Sequence, residues 1–141
     1  MKQPSRLIAA AAMVAALATV SCSRAQEQPL SVSPDLPAAA ATAKVSATDN
    51  GNTKIELVVN HLAMPERVAP GATVYVVWVR GNEALDRPQN IGALKVDSDL
   101  NGKLTAVTPL LAFELFVTPE SMQDVTDPAG KHVLFTTVTK R

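Results

Sequence analysis

Cysteine occurs once, at Cys22, so the chain can form neither an intrachain disulfide nor a multi-cysteine metal site. Two histidines, His61 and His132, leave little material for a histidine-based catalytic centre. Aromatic residues make up 4% of the 141, too few for a platform on which bases could stack. Neither sign of charge is in excess, with 13 basic and 13 acidic residues, whereas a phosphate-binding surface needs a basic surplus. Nucleic acid is therefore not an expected partner. Neither a Gly-x-Ser-x-Gly elbow nor a Gly-rich phosphate cradle occurs. Charged residues, at 18%, fall below the usual quarter, and Ala-rich stretches raise the apolar share to 47%.

Long apolar runs are also scarce. The main one, residues 7–20, follows Lys2 and Arg6 and contains only Ala, Leu, Ile, Val, Met and one Thr. As a helix it would be about 21 Å long at ~1.5 Å per residue, short of a ~30 Å hydrocarbon core. Its charge and length are those of an export signal. Two processing sites compete. Ala18-Thr19-Val20-Ser21-Cys22 resembles a bacterial lipobox, with Thr19 where Leu is commoner, and Ser23-Arg24-Ala25 offers a small-x-small site for cleavage after residue 25. The first is favoured, because the only cysteine stands where lipidation needs it. On that reading 1–21 is a lipoprotein signal peptide and Cys22 carries the acyl chains that anchor the protein. It would sit outside the cytoplasm, on the outer membrane if the envelope is Gram-negative; the alternative is a soluble secreted or periplasmic protein. Cleavage removes Lys2 and Arg6 and no acid, leaving a net charge of −2.

Residues 22–43 hold Pro29, Pro34, Pro37, several Ser and the run Ala38 to Ala41, with few large apolar side chains. This composition predicts a flexible linker. From 44 to 141 the texture changes to short β-branched and Leu-rich runs separated by Gly, Asn, Asp and Pro. Seven strands are expected, over 44–48, 53–61, 73–80, 91–97, 103–108, 111–118 and 132–139. In the second, Ile55, Leu57 and Val59 alternate with Lys54, Glu56 and Asn60, the pattern of a half-buried strand. The third, TVYVVWVR, is apolar on both faces and is expected to be central. The Asn101-Gly102 pair is expected to supply positive φ in a hairpin loop. The fold predicted is all-β, an immunoglobulin-like antiparallel β-sandwich of about seven strands, with Trp78, Phe113, Phe116 and Phe135 carrying much of the packing.

Antiparallel neighbours send alternate loops to opposite poles. Loops 62–72, 98–102 and 119–131 are expected at one pole, and 49–52, 81–90 and 109–110 at the other. The first pole gathers the chemistry-bearing residues and the longest loop, so any site is expected there. Asp97-x-Asp99-x-Asn101-Gly102 has the first half of a calcium loop, but Thr108 stands where the bidentate Glu belongs. A plain hairpin turn uses the same residues. His61, Met64, Met122 and His132 form a candidate Cu(I) set, since imidazole and thioether suit that ion; two strand-end histidines and two loop methionines are the simpler description. The paired acids Asp97 with Asp99 and Asp124 with Asp127 lie in polar loops, where nothing raises a carboxyl pKa for acid–base work. No resident cofactor, catalytic residue or assigned metal site is expected, and the chain is not expected to be an enzyme.

Five segments in order carry a family likeness: Tyr75-Val76-Val77-Trp78-Val79, Asn90-Ile91-Gly92-Ala93-Leu94, Asn101-Gly102-Lys103-Leu104, Phe113 through Glu120, and Pro128-Ala129-Gly130-Lys131-His132-Val133-Leu134. Together, over about residues 73–135, they resemble the extracytoplasmic domain of anti-sigma factors of the sigma-K-regulator type. The resemblance implies an extracytoplasmic β-sandwich with a regulatory or protein-interaction role and no catalysis. Two departures stand out. The cytoplasmic sigma-binding domain and spanning helix of such factors have no counterpart here, and Ser121-Met122-Gln123-Asp124 replaces the family's glycine pair after the Glu. The shared motifs read as core and turn positions, so no site residues are carried over. The expected function is a lipid-anchored binding or sensor module whose partner is another envelope protein or a small ligand. The alternative is a metal-handling protein using the same pole.

Overall fold

The computed structural model describes residues 24–139. The segment expected to be an export signal, and Cys22, lie outside the described residues. The chain is all-β apart from one helical turn. In order it forms β1 (Gln26–Pro29), β2 (Ser31–Val32), β3 (Ala40–Ala47), β4 (Thr53–Asn60), α1 (Pro65–Val68), β5 (Val74–Gly81), β6 (Gln89–Val96), β7 (Gly102–Thr108), β8 (Phe113–Glu120) and β9 (Leu134–Val138). All pairings are antiparallel, in the order β1-β3-β4-β7-β6-β5-β8-β9-β2.

Two segments turn this single strand order into two packed layers. β6 pairs with β5 through Gln89–Leu94 and then with β7 through Lys95 and Val96, so it passes from one layer to the other. The crossing is tight: a Cβ on Gly102 would lie 2.9 Å from Leu94 Cγ, and Gly92 takes φ +139 with a Cβ position 3.0 Å from Leu104 Cδ1. At the other side, β1 pairs with β3 while β2, one residue later, pairs with β9. The Gln28 amide donates to the Thr137 carbonyl at 2.6 Å, tying β1 across the seam to β9. The two ends of the sheet thus share one stretch of chain, which leaves little open edge.

The stretch expected to be a flexible linker is therefore folded from Gln26 onward. Leu30 and Leu36 are buried in the main core, beside Ala41, Ala43 and Val45 of β3. Backbone bonds Leu30 N–H to Ala41 O and Ser33 N–H to Val133 O fix it to both layers. Its proline and alanine content misleads because the burial rests on two leucines and on the small side chains of Ala41 and Ala43.

The seven expected strands are all present, within about two residues at most ends, and the first starts earlier, at Ala40. Between the layers lie Ile55, Leu57, Val59, Tyr75, Val77, Val79, Leu94, Phe113, Leu115 and Val117. β5 is central as expected, between β6 and β8. Val76, Trp78 and Phe116 form a second buried cluster on the other face of that layer. Phe135 is 41% exposed and belongs to neither core: it is the β9 register partner of Phe116, and loop 121–133 does not cover it. In the β6–β7 hairpin the left-handed residue is Leu100 (φ 62), not the Asn-Gly pair. The Asp97 carboxylate supplies the turn instead, its Oδ1 accepting from the N–H groups of Asp99 and Asn101, both at 2.9 Å.

Candidate functional site

Strand direction places loops 61–73, 97–101 and 121–133 at one pole, where the sequence put them. Two of these loops are pinned to each other. After β4, Leu62 is buried and its N–H donates to Leu100 O, while the Tyr75 hydroxyl donates to Ala63 O at 2.7 Å. Burial, with the Glu66 charge as a lesser cause, pushes the Tyr75 phenol up to about 12. The loop then turns through α1 and Gly71 (φ +81) and joins the end of β8, with Thr73 N–H donating to Glu120 O and Thr73 Oγ1 to Ser121 O.

The longer loop, 121–133, lies back over the outer face of β5 and β8. Its anchor is the side chain of Glu120, which is only 3% exposed. Trp78 Nε1–H donates to Thr118 Oγ1 at 2.9 Å, and the Thr118 hydroxyl donates to Glu120 Oε1 at 2.6 Å. The same oxygen accepts the N–H groups of Ala129 and Gly130 at 2.9 and 3.2 Å. Charge-assisted bonds of this kind are about twice as strong as neutral ones. A Cβ at Gly130 would overlap the Pro119 carbonyl oxygen, so only glycine lets the loop come this near. Farther along, the Asn90 amide donates to Gln123 O and Val125 O, both at 2.9 Å, and accepts from Gly92 N–H. Val125 is thereby packed on the Val76, Trp78 and Phe116 cluster.

Loops 61–73 and 121–133 leave a groove between them. One part, about 400 Å³, is lined by Val68, Ala69, Pro70, Pro119, Ala129 and Val133, with Asp35 and Lys131 among its walls. A second, about 340 Å³, shares Pro70, Pro119 and Ala129 and extends to Gly71 and Ser121. The groove is mainly apolar, with Asp35 and Lys131 on its border, a shape suited to holding a side chain or a short peptide.

The individually singled-out residues are scattered around it. His61 follows β4 directly, in the left-handed region (φ 54), and is exposed. Met64 precedes α1 and Met122 is exposed beyond β8. His132 does not stay with them at the pole: its ring stacks on Phe116, centroids 3.9 Å apart, and its Nδ1 lies 4.0 Å from Glu114 near the start of β8. The four candidate copper ligands are thus divided between the end of one layer and the outer face of the other. Among the described residues, no three His, Cys, Asp or Glu side chains are grouped to hold a metal ion. Asp97, Asp99 and Asn101 share one turn, but the Asp97 Oδ1 is committed to backbone N–H groups. Asp124 and Asp127 stand in the exposed part of loop 121–133.

His132 has a second setting worth its chemistry. Arg80, over Phe116 at 5.8 Å, is paired with Glu114, so ring, guanidinium and carboxylate form one surface patch. Burial lowers the His132 pKa; Glu114 opposes that shift and Arg80 adds to it. The buried Glu120 and the Asn90 latch were not legible in advance as loop anchors. The one available signal was their place in the shared motifs. No family model, curated protein or solved structure matches the chain.

Proposed function

We propose that this protein is an envelope lipoprotein, held by acyl chains on Cys22, whose β-sandwich is a non-catalytic interaction or sensor module. The groove between loops 61–73 and 121–133 receives its partner, a segment of another envelope protein or a small apolar ligand. The observation that carries this reading is that both walls are tied down by hydrogen bonds, loop 121–133 by the buried Thr118 and Glu120 side chains and loop 61–73 by Tyr75 and Thr73, so the groove is preformed and binding costs little ordering. The family likeness fits the same reading. Trp78, Asn90, Gly92, Thr118, Glu120 and Gly130, all within the resembling segments, converge on holding loop 121–133. The sensor-side domain of an anti-sigma regulator would need this kind of defined pole.

The test is a photo-crosslinking amino acid placed at Ala129 in cells. A discrete adduct is expected there, with none from the same residue at Val107 on the far side of β7, and Ala69→Arg in the groove should remove the adduct without lowering the thermal midpoint. Equal crosslinking from both positions, or an adduct that survives Ala69→Arg, would reject the groove. Lipidation is checked separately: globomycin should cause a larger precursor to accumulate.

A further inference from the structure

The pole opposite the groove has its own chemistry. Loop 82–88 joins β5 to β6 there, and its tip is a hydrogen-bonded turn in which Asp86 N–H donates to Glu83 O and Asp86 Oδ2 accepts from Glu83 N–H. The Asp86 carboxylate is folded back into space that a side chain at Gly81 would fill. Leu85 is left at the apex, 95% exposed. Two further apolar residues are exposed at this end: Leu111 (44%) in loop 109–112 and Val107 (54%) near the end of β7. Gly81 and Phe113 are register partners, so the loops bearing Leu85 and Leu111 leave the sheet side by side. A hydrogen-bonded turn that ties down its Asp86 carboxylate and leaves a leucine at its apex has no explanation in the packing of this chain.

The chain also enters at this pole. Gln26 pairs with Val45, next to the end of β3 at Ala47, and Pro29 pairs with Thr42 farther toward the groove. Four residue steps separate Cys22 from Gln26, a reach of at most about 14 Å at ~3.3–3.6 Å each. An eight-residue strand such as β4 spans about 23 Å over its seven steps at ~3.3 Å each. An anchor on Cys22 therefore brings the Leu85 pole to the bilayer and holds the groove pole away from it.

We infer that the pole formed by loops 82–88 and 109–112 is a lipid-docking surface, with Leu85 and Leu111 entering the interfacial region of the membrane that carries the anchor. This rests on the lipoprotein reading, since only a short tether fixes which end faces the lipid. Docking orients the sandwich upright and presents the groove outward, so the sequence from anchor to site is one of decreasing freedom: acyl chains, a few residues of chain, an apolar contact, then a preformed cleft.

The test uses the full-length protein purified from membranes and reconstituted in phosphatidylcholine vesicles, so that the outcome does not turn on lipid charge. Leu85→Cys is labelled with the environment-sensitive fluorophore NBD, and Met122→Cys, on the opposite pole, is the control. Both positions are exposed, so neither variant disturbs the core. In the anchored protein the label at 85 should shift to the blue and be quenched by nitroxide lipids, while the label at 122 should do neither. A label at 85 as water-like as that at 122, in protein that floats with the vesicles, overturns the docking surface and leaves the anchor standing. A blue shift that nitroxide lipids do not quench overturns it too, because the pole is then covered by protein. Failure of the anchor reads differently: the unsubstituted chain does not float, and Cys22 itself takes the label.

Discussion

On the inner face of β5 and β8, Tyr75, Val77, Val79, Phe113, Leu115 and Val117 meet the opposite layer of the sandwich. On the outer face of the same two strands, Val76, Trp78 and Phe116 meet a loop. Both clusters are fully buried, yet their covers differ in kind. The inner one is held by strands that are themselves paired along their length. The outer one is held by a segment without ladder bonds, fastened at Glu120 and Asn90. The largest side chain of the protein thus depends on a few polar contacts to stay dry. The difference teaches that apolar burial here is conditional on one side, and that the conditional side is the one that builds the groove wall.

The largest effect should come from removing the side chain that the loop covers. Trp78→Ala is expected to cost about 3–5 kcal/mol, by the lost transfer term and the cavity left behind, read from urea unfolding. If it costs much less than Leu57→Ala in the inner core, the outer cluster is not a core at all and the comparison fails. Next is the carboxylate. Glu120→Ala strips three donors of their partner, and hydrogen bonds to a charged acceptor are worth about 1.5–3 kcal/mol each before relaxation; a net loss of about 3 kcal/mol is expected, with a smaller loss for Glu120→Gln. A nearly neutral Glu120→Ala would mean that loop 121–133 holds without it.

Asn90→Ala should cost about 1 kcal/mol, because its two donated bonds are at the surface where water can replace them. It sharpens the comparison by asking whether the loop is fastened at one end or both. The smallest effect is electrostatic. With the His132 pKa lowered by burial, the neutral ring is the form that stacks on Phe116. The unfolded chain binds the proton more readily, so this contribution is complete above the unfolded value near 6.5 and is lost as pH falls through the lower folded value. The stability difference between native protein and His132→Phe, which keeps the stack and cannot titrate, should grow only on acidification. A difference that is flat with pH contradicts the assignment.

Much of the layered architecture was legible in the residues. Alternation in 53–61 and the doubly apolar run around Trp78 placed β4 and β5, and counting antiparallel turns placed the poles. What escaped the reading has physical causes. β1 and β2 carry few large side chains, and their strand character comes from partners distant in the chain, which local composition does not register. The alternation of Ala41, Ala43 and Val45 with Thr42 and Lys44 was a period-2 signal, muted because alanine is a poor strand former. Phe135 and Phe116 are cross-strand partners of equal size, and only the course of loop 121–133 decides that one is covered and the other open. Glu120, between Pro119 and Ser121, reads as a solvated acid; its burial follows from two backbone N–H groups nine and ten residues away. The candidate metal ligands shared a pole on paper because loops were treated as points, whereas loop 121–133 carries His132 down the face to Phe116.

The direct measurement of the central claim is amide hydrogen exchange at Ala129 and Gly130 in the native protein and in Glu120→Ala, with Leu57 and Val77 as inner-core references. The account predicts that both loop amides are protected in the native protein, that this protection collapses in the variant, and that the inner-core amides stay slow. Loop amides that exchange freely in the native protein, or that remain protected once the carboxylate is gone, would contradict it.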